Sequence, residues 1–176
     1  MAETLSPVLS TLSEQRASAV LAHLAERQES VATAESCTGG LLSALFTDVP
    51  GFSHVFVAGY IAYAEAAKSR MLGISDAQIR TYGAVSAQIA AEMARAARRQ
   101  SDSDWSLAVT GFAGPAGPGE EPGLVHFACA GPHGLFATAE HHFGDVGRGE
   151  TRRLCLEAGV ELLHNLMACS SGVGQP

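Results

Sequence analysis

Positive charge is scarce in this chain. Eleven lysines and arginines stand against 18 aspartates and glutamates, a formal net charge of −7. A nucleic-acid partner needs a basic face to offset phosphate, so none is expected. The one local basic cluster, Arg95, Arg98 and Arg99, closes a predicted helix, where it complements the helix dipole. No apolar run reaches the ~18 residues of a membrane span, so no membrane association is expected. The four cysteines, Cys37, Cys129, Cys155 and Cys169, form no CxxC pair, and no signal peptide precedes the chain. Free thiols in a reducing cytoplasm follow as the expectation. Seven histidines are present, yet HExxH and paired Cys/His spacings are missing. His141 and His142, as strand neighbours, face opposite ways, while His126 and His133 lie on other segments. No metal is expected. The GxxxxGK[ST] lysine of a triphosphate-binding loop is missing too.

What is present is apolar: 47% of residues are hydrophobic and 16% charged. That composition, in 176 residues, fits one globular domain able to bury a core without disulfides or metals. No repeat or linker divides it. The core is expected over about 8–168, with tails at 1–7 and 169–176.

Periodicity gives the elements. Val8 to Gln28 carries Val8, Leu9, Leu12, Val20, Leu21 and Leu24 at helical spacing. "SVATAE" reads as a strand, "GGLLSALFTD" as a helix, "VPGFS" as a turn and "HVFVAGYIAY" as a second strand. "AEAAKSRML" is helical up to Gly73. "SDAQIRTYG" is a short helix with Ser75 as N-cap and Gly83 at its end. Ser86 caps "AQIAAEMARAARR", which puts Ile89, Met93 and Ala97 on one face. "DWSLAVTG" is a buried strand, and "FAGPAGPGEEPG" a Gly/Pro-rich flap. "LVHFACA" and "LFATAEHHF" flank "GPHG" as an antiparallel hairpin. Arg148 to Met167 forms a last helix with Leu154, Ala158, Leu162 and Leu166 on one side, and "SSGVGQP" frays. The fold class is α/β: a single three-layer α/β/α sandwich on a mixed, mainly parallel sheet with an antiparallel hairpin.

In such a sheet, ligands gather outside the carboxyl ends of the parallel strands. "ATAESCTGG", "GYIAYAEAAK" and "LAVTGFAGP" all end there, each in polar or glycine residues. Ser36 sits where a strand becomes a helix, with the backbone N–H groups of Cys37, Thr38, Gly39 and Gly40 placed to hold an oxyanion or phosphate. The plainer alternative is that Ser36 or Thr38 caps the helix. A nucleophilic serine needs a base. Lys68, five positions after Tyr63, supplies one if burial among alanines lowers its pKa, with Tyr63 relaying the proton or holding the amine. A solvated surface lysine is the competing reading. Cys37 is the rival nucleophile, but no neighbour in sequence explains an activated thiolate.

"AESCTGG", the tyrosine five before the lysine in "YAEAAK", "YGAVS" and "TGFAGPAG", in this order, resemble the CinA C-terminal-domain family, the nicotinamide-nucleotide amidohydrolases. The similarity runs from Val8 to Met167. It implies a cytoplasmic enzyme that deamidates nicotinamide mononucleotide to nicotinate mononucleotide and ammonia. It also implies an α/β/α domain without metal or other cofactor, self-associating as a dimer or trimer. By the same resemblance Ser36 matches the nucleophile, Lys68 the base and Tyr63 its companion. Thr110, Gly111, Ala113 and Gly114 match the loop lining the substrate pocket. The family's two arginines four residues apart match Arg148 and Arg152, a pair able to grip a phosphate. Three departures stand out: Glu65 where "YSN" has a neutral amide, Glu121 where "EKP" has lysine, and a longer segment from Asp145 to Arg148. The two added acids motivate an alternative, a catalytically weak or inactive relative that binds a pyridine nucleotide in a regulatory role.

Overall fold

Trp105 and Phe127, two of the largest fully buried side chains, lie on neighbouring central strands of a five-stranded sheet. A computed structural model describes residues 9–171. The strands are β1 (Val31–Glu35), β2 (Phe56–Ile61), β3 (Trp105–Gly111), β4 (Leu124–Ala130) and β5 (Phe136–His142), in the spatial order β2-β1-β3-β4-β5. β1 pairs in parallel with both β2 and β3, whereas β4 runs antiparallel to β3 and β5. β1 is buried along its whole length, as suits a parallel strand covered on both faces. Edge strand β5 alternates instead.

Helices α1 (Thr11–Glu26), α2 (Leu41–Thr47) and α6 (Arg148–Ser171) cover one face; α3 (Glu65–Leu72), α4 (Asp76–Tyr82) and α5 (Ala87–Ser101) cover the other. The two faces pack differently. On the first, Leu107, Val109 and Phe127 meet Leu21, Leu42, Leu45, Val160 and Leu163. On the second, Ala34, Ala108 and Ala128 meet Ile89, Ala90, Met93, Ala94 and Ala97. Small side chains on both partners bring α5 close enough for Ser106 Oγ to donate to the Ala94 carbonyl at 2.7 Å. The expected caps form: Ser75 accepts from the Gln78 amide in a capping box, and Ser86 accepts from Ile89. Arg98 of the basic cluster donates to the Asp104 carbonyl at 2.7 Å, and Arg95 lies over the Phe136 ring.

Some boundaries and faces depart from the sequence reading. Val8 and the expected tail at 1–7 lie outside the described residues. The first helix starts at Thr11 and leaves Leu12 exposed. The last helix continues to Ser171, taking in Cys169, which the sequence assigned to a tail; the rest of "SSGVGQP" lies outside the described residues. Its buried face is also offset, consisting of Cys155, Leu156, Val160, Leu163, Leu166 and Met167, with Leu154, Ala158 and Leu162 flanking. The helix packs tightly on the sheet at Gly159, where an added Cβ would lie 3.3 Å from Leu107. A count of large apolar residues passes over that position.

Gly59 of β2 sits against the first turn and a half of α2. A Cβ there would come 2.3 Å from Ser43 Oγ, an atom pinned by Glu35 at 2.6 Å and Thr33 at 2.8 Å. Gly59→Ala is expected to lower stability by about 1–3 kcal/mol in urea denaturation, as overpacking does. Gly149→Ala, with no atom within 4 Å of the added carbon, is expected to hold or raise it by up to ~1 kcal/mol through helix propensity.

Candidate active site

The carboxyl ends of β1, β2 and β3 surround a cavity of about 430 Å³, lined by Ser36 and Cys37, by Tyr63 to Glu65 and Lys68, and by Gly111 to Pro115. Ala84, Val85 and Arg148 complete its walls. The convergence expected from the three segment ends is therefore present. The volume suits a small organic ligand.

The turn after β1 is organised by Glu35, a residue to which the sequence reading gave no role. Its carboxylate is fully buried. Oε2 accepts from Thr38 Oγ1 at 2.7 Å and from the Gly40 and Leu42 amides at 3.0 Å. Oε1 accepts from the Ser43 amide at 2.8 Å and its hydroxyl at 2.6 Å. Neither Ser36 nor Thr38 caps α2. The N-cap position is Gly40, which has no side chain to offer, and the acid from the preceding strand satisfies the free amides instead. Gly39 and Gly40 have φ of 62° and 102°, a left-handed path that L side chains resist. Of the expected oxyanion donors, Gly40 N–H is thus engaged by Glu35, and Gly39 N–H by the Ser36 carbonyl. The Cys37 amide meets its own side-chain sulfur, and the Thr38 amide has no partner among the described residues.

Ser36 is fixed through its amide, which donates to the Val109 carbonyl of β3 at 3.0 Å. Its hydroxyl receives Lys68 Nζ at 3.1 Å. Lys68 is only 1% exposed, one turn before buried Leu72 on α3. It also donates to the carbonyls of Ala62 at 3.1 Å and Tyr63 at 3.5 Å. Burial lowers the Lys68 pKa, opposed by the negative charges of Cys37 and Glu65. The competing reading of a solvated lysine is excluded.

Other residues take roles different from those expected. Tyr63 meets Lys68 through its carbonyl, and the residue, 59% exposed, is part of the cavity wall. Thr110 is fully buried and donates to the Ala84 carbonyl at 2.9 Å, so it shapes the wall from behind. Gly111, Ala113 and Gly114 do line the cavity. The arginine pair is split. Arg148 lies at the cavity, so close to the flap that a Cβ on Gly114 would come 2.6 Å from its guanidinium. Arg152 instead donates Nε to the Cys37 carbonyl at 2.8 Å, beneath the turn. Cys37 has the neighbours that its sequence context lacked: a hydrogen bond with the Cys155 thiol and the Arg152 charge lower its pKa, while Cys155 is raised. Glu121 is outside the lining residues and bonds His142 Nδ1 at 2.8 Å. His142 in turn reaches Glu140, and His141 stacks on Phe143. Among the described residues, no group of three or more His, Cys, Asp or Glu is arranged to hold a metal ion. No described helix is long and apolar enough to cross a membrane.

The CinA C-terminal domain family model matches residues 13–167. The chain belongs to this family. Among curated relatives, a CinA-like protein of Parasynechococcus marenigrum (strain WH8102) is 43% identical over 164 residues, covering 92% of this chain and 39% of the relative. One from Anaeromyxobacter sp. (strain K) is 44% identical over 146 residues, covering 82% and 35%. The chain thus spans between a third and two fifths of the length of these CinA-like proteins. Among solved structures, a competence/damage inducible protein CihA from Agrobacterium tumefaciens superposes with a TM-score of 0.88 at 35% identity, over 94% of this chain and 99% of that one. A CinA superfamily protein from Escherichia coli gives 0.82 at 30% identity, over 94% of each. CinA membership and the α/β sandwich agree with the motifs that carried the resemblance.

Two predictions follow from the buried pair of charged groups in this CinA domain. Glu35→Gln places an amide NH₂ or a neutral oxygen before donors that now meet a carboxylate, and is expected to lose about 2–3 kcal/mol in urea denaturation. Lys68→Met removes an amine that must fold with its charge desolvated. Because the folded pKa is depressed, wild type carries that penalty at pH 7 and sheds it as pH rises toward the ordinary 10.5. The variant is expected to be at least as stable as wild type at pH 7, with the margin shrinking by pH 10 in parallel melts.

Proposed function

We propose that this domain hydrolyses a carboxamide through a serine acyl-enzyme, and that its substrate is nicotinamide mononucleotide, deamidated to nicotinate mononucleotide and ammonia. The observation that carries the reading is the 3.1 Å contact between a buried lysine amine and Ser36 Oγ at a cavity wall. A neutral Lys68 takes the serine proton as Oγ attacks the amide carbon. The Cys37 and Thr38 amides receive the developing oxyanion. Lys68 returns the proton to the departing nitrogen, so ammonia leaves and Ser36 holds the acyl group. Water, deprotonated by the same amine, then releases the acid and restores the hydroxyl. Arg148 neutralises the substrate's phosphate from the opposite wall. Arg152, through the Cys37 carbonyl, holds the peptide whose N–H serves the oxyanion.

Wild type is expected to release ammonia from nicotinamide mononucleotide, with Ser36→Ala reduced to background. Lys68→Met is expected to fall by about 10²–10⁴, the usual contribution of a positioned base. The rate should rise with pH along a limb set below an ordinary lysine, where the neutral amine accumulates. Equal rates for wild type and Ser36→Ala would remove the serine from the mechanism. Thermal stabilisation by the mononucleotide with no ammonia from wild type would instead support a binding member of the family in a regulatory role.

A further inference from the structure

Most charged side chains around the catalytic turn are spoken for. Glu35 holds α2, Arg152 holds the Cys37 carbonyl, Arg153 pairs with Glu150 and Glu157, and Glu121 pairs with His142. In the cavity wall two are left: the Glu65 carboxylate and the Arg148 guanidinium have no hydrogen bond or ion pair among the described residues. They are of opposite sign. The same wall carries Ser36 and Lys68, and Tyr63, two residues before Glu65, is 59% exposed with no ring packed against it among the described residues.

A cavity wall with a carboxylate that makes no ion pair and acts on Lys68 through its charge, beside an exposed tyrosine, complements a flat cation, and an unpaired guanidinium complements an anionic group on the same ligand. Glu65 opens α3, so its acid lies on the segment that also delivers Lys68 toward Ser36. The cation that it meets must therefore sit close to the amide under attack. A carboxamide on a quaternised nitrogen heteroaromatic ring has this arrangement, with the ring charge beside the reacting carbonyl and the phosphate further out. The corresponding neutral arene carboxamide has the same shape without the charge.

We infer that Glu65, with the Tyr63 ring, is the specificity determinant that selects a quaternised N-heteroaromatic carboxamide over its neutral isostere. This rests on the amidohydrolase reading for the placement of the carbonyl at Ser36. It also gives the acid at position 65 a purpose: its charge favours the ring end of the substrate, while Arg148 attends to the phosphate end.

The test is titration calorimetry on full-length Ser36→Ala protein, with and without Glu65→Gln, using nicotinamide mononucleotide and benzamide mononucleotide, whose ring nitrogen is replaced by carbon. With Glu65 present the cationic ligand is expected to bind about three- to tenfold tighter, the range of a partly exposed charge pair. That preference should shrink as salt is raised. Glu65→Gln should collapse the ratio to near one and leave the neutral ligand within about twofold. A ratio unaltered by Glu65→Gln overturns the inference, as does the lack of binding by either ligand at millimolar concentration. Ammonia release by wild type is read separately: no release from any carboxamide refutes the hydrolase, while the affinity ratio still decides whether Glu65 reads the ring charge.

Discussion

The placement of Ser36 depends on a carboxylate that never meets the cavity. Glu35 ends β1 with its side chain buried, and gathers donors from Thr38, Gly40, Leu42 and Ser43. A buried charge is tolerated only when its lone pairs are filled, and five donated hydrogen bonds do this. The bonds reach both sides of the left-handed Gly39–Gly40 step, so the turn that displays Ser36 is tied at its start and its end. One consequence is electrostatic. The positive end of α2 is answered from within the protein, and of the turn's amides the Thr38 N–H is left without a partner among the described residues.

The topology explains why Ser36 and Lys68 meet at that turn. From β1 the chain crosses to β2 on one side, then returns past β1 to place β3 on the other. The reversal of strand order makes the carboxyl end of β1 a switch point, where connections leave in opposite directions and open a crevice. Lys68 arrives from the helix after β2, and the Gly111–Pro115 wall from the loop after β3. Ser36 is bonded to both neighbours: its amide reaches Val109, and the Glu35 carbonyl before it accepts from Ala62. A shift of either strand would disturb the contact between Ser36 and Lys68.

Much of this was legible in the sequence, because strand alternation, Ser caps and Gly/Pro breaks are local signals. The Ser36–Lys68 pair was legible too, since both follow predicted parallel strands and two such ends lie side by side. The misreadings share a cause: they concern where a polar group spends its hydrogen bond, which is decided by residues far away in the chain. Thr110 donates to a carbonyl 26 positions away, and Arg152 to one 115 away. Of the two roles open to Tyr63, holding the amine is the one seen, through its carbonyl. The α6 stripe was misplaced because Gly159, invisible to a count of large side chains, packs against Leu107 and Phe127 of the sheet.

The charges at the cavity also bear on when Lys68 becomes a base. Burial disfavours the ammonium form, and the Glu65 charge favours it. These oppose each other, and the amine, donating to Ser36, Ala62 and Tyr63, is held in a bonding pattern that suits its protonated state. A quaternised ring drawn to Glu65 changes both influences in one direction. It displaces water from around the amine, deepening the desolvation, and it sets a positive charge where the carboxylate had acted alone. The ligand that the acid favours is thus the ligand that drives Lys68 toward the neutral form, while a neutral isostere supplies the desolvation without the charge. On this account the acid that makes the resting lysine a poorer base also ties its activation to the arrival of the right ring.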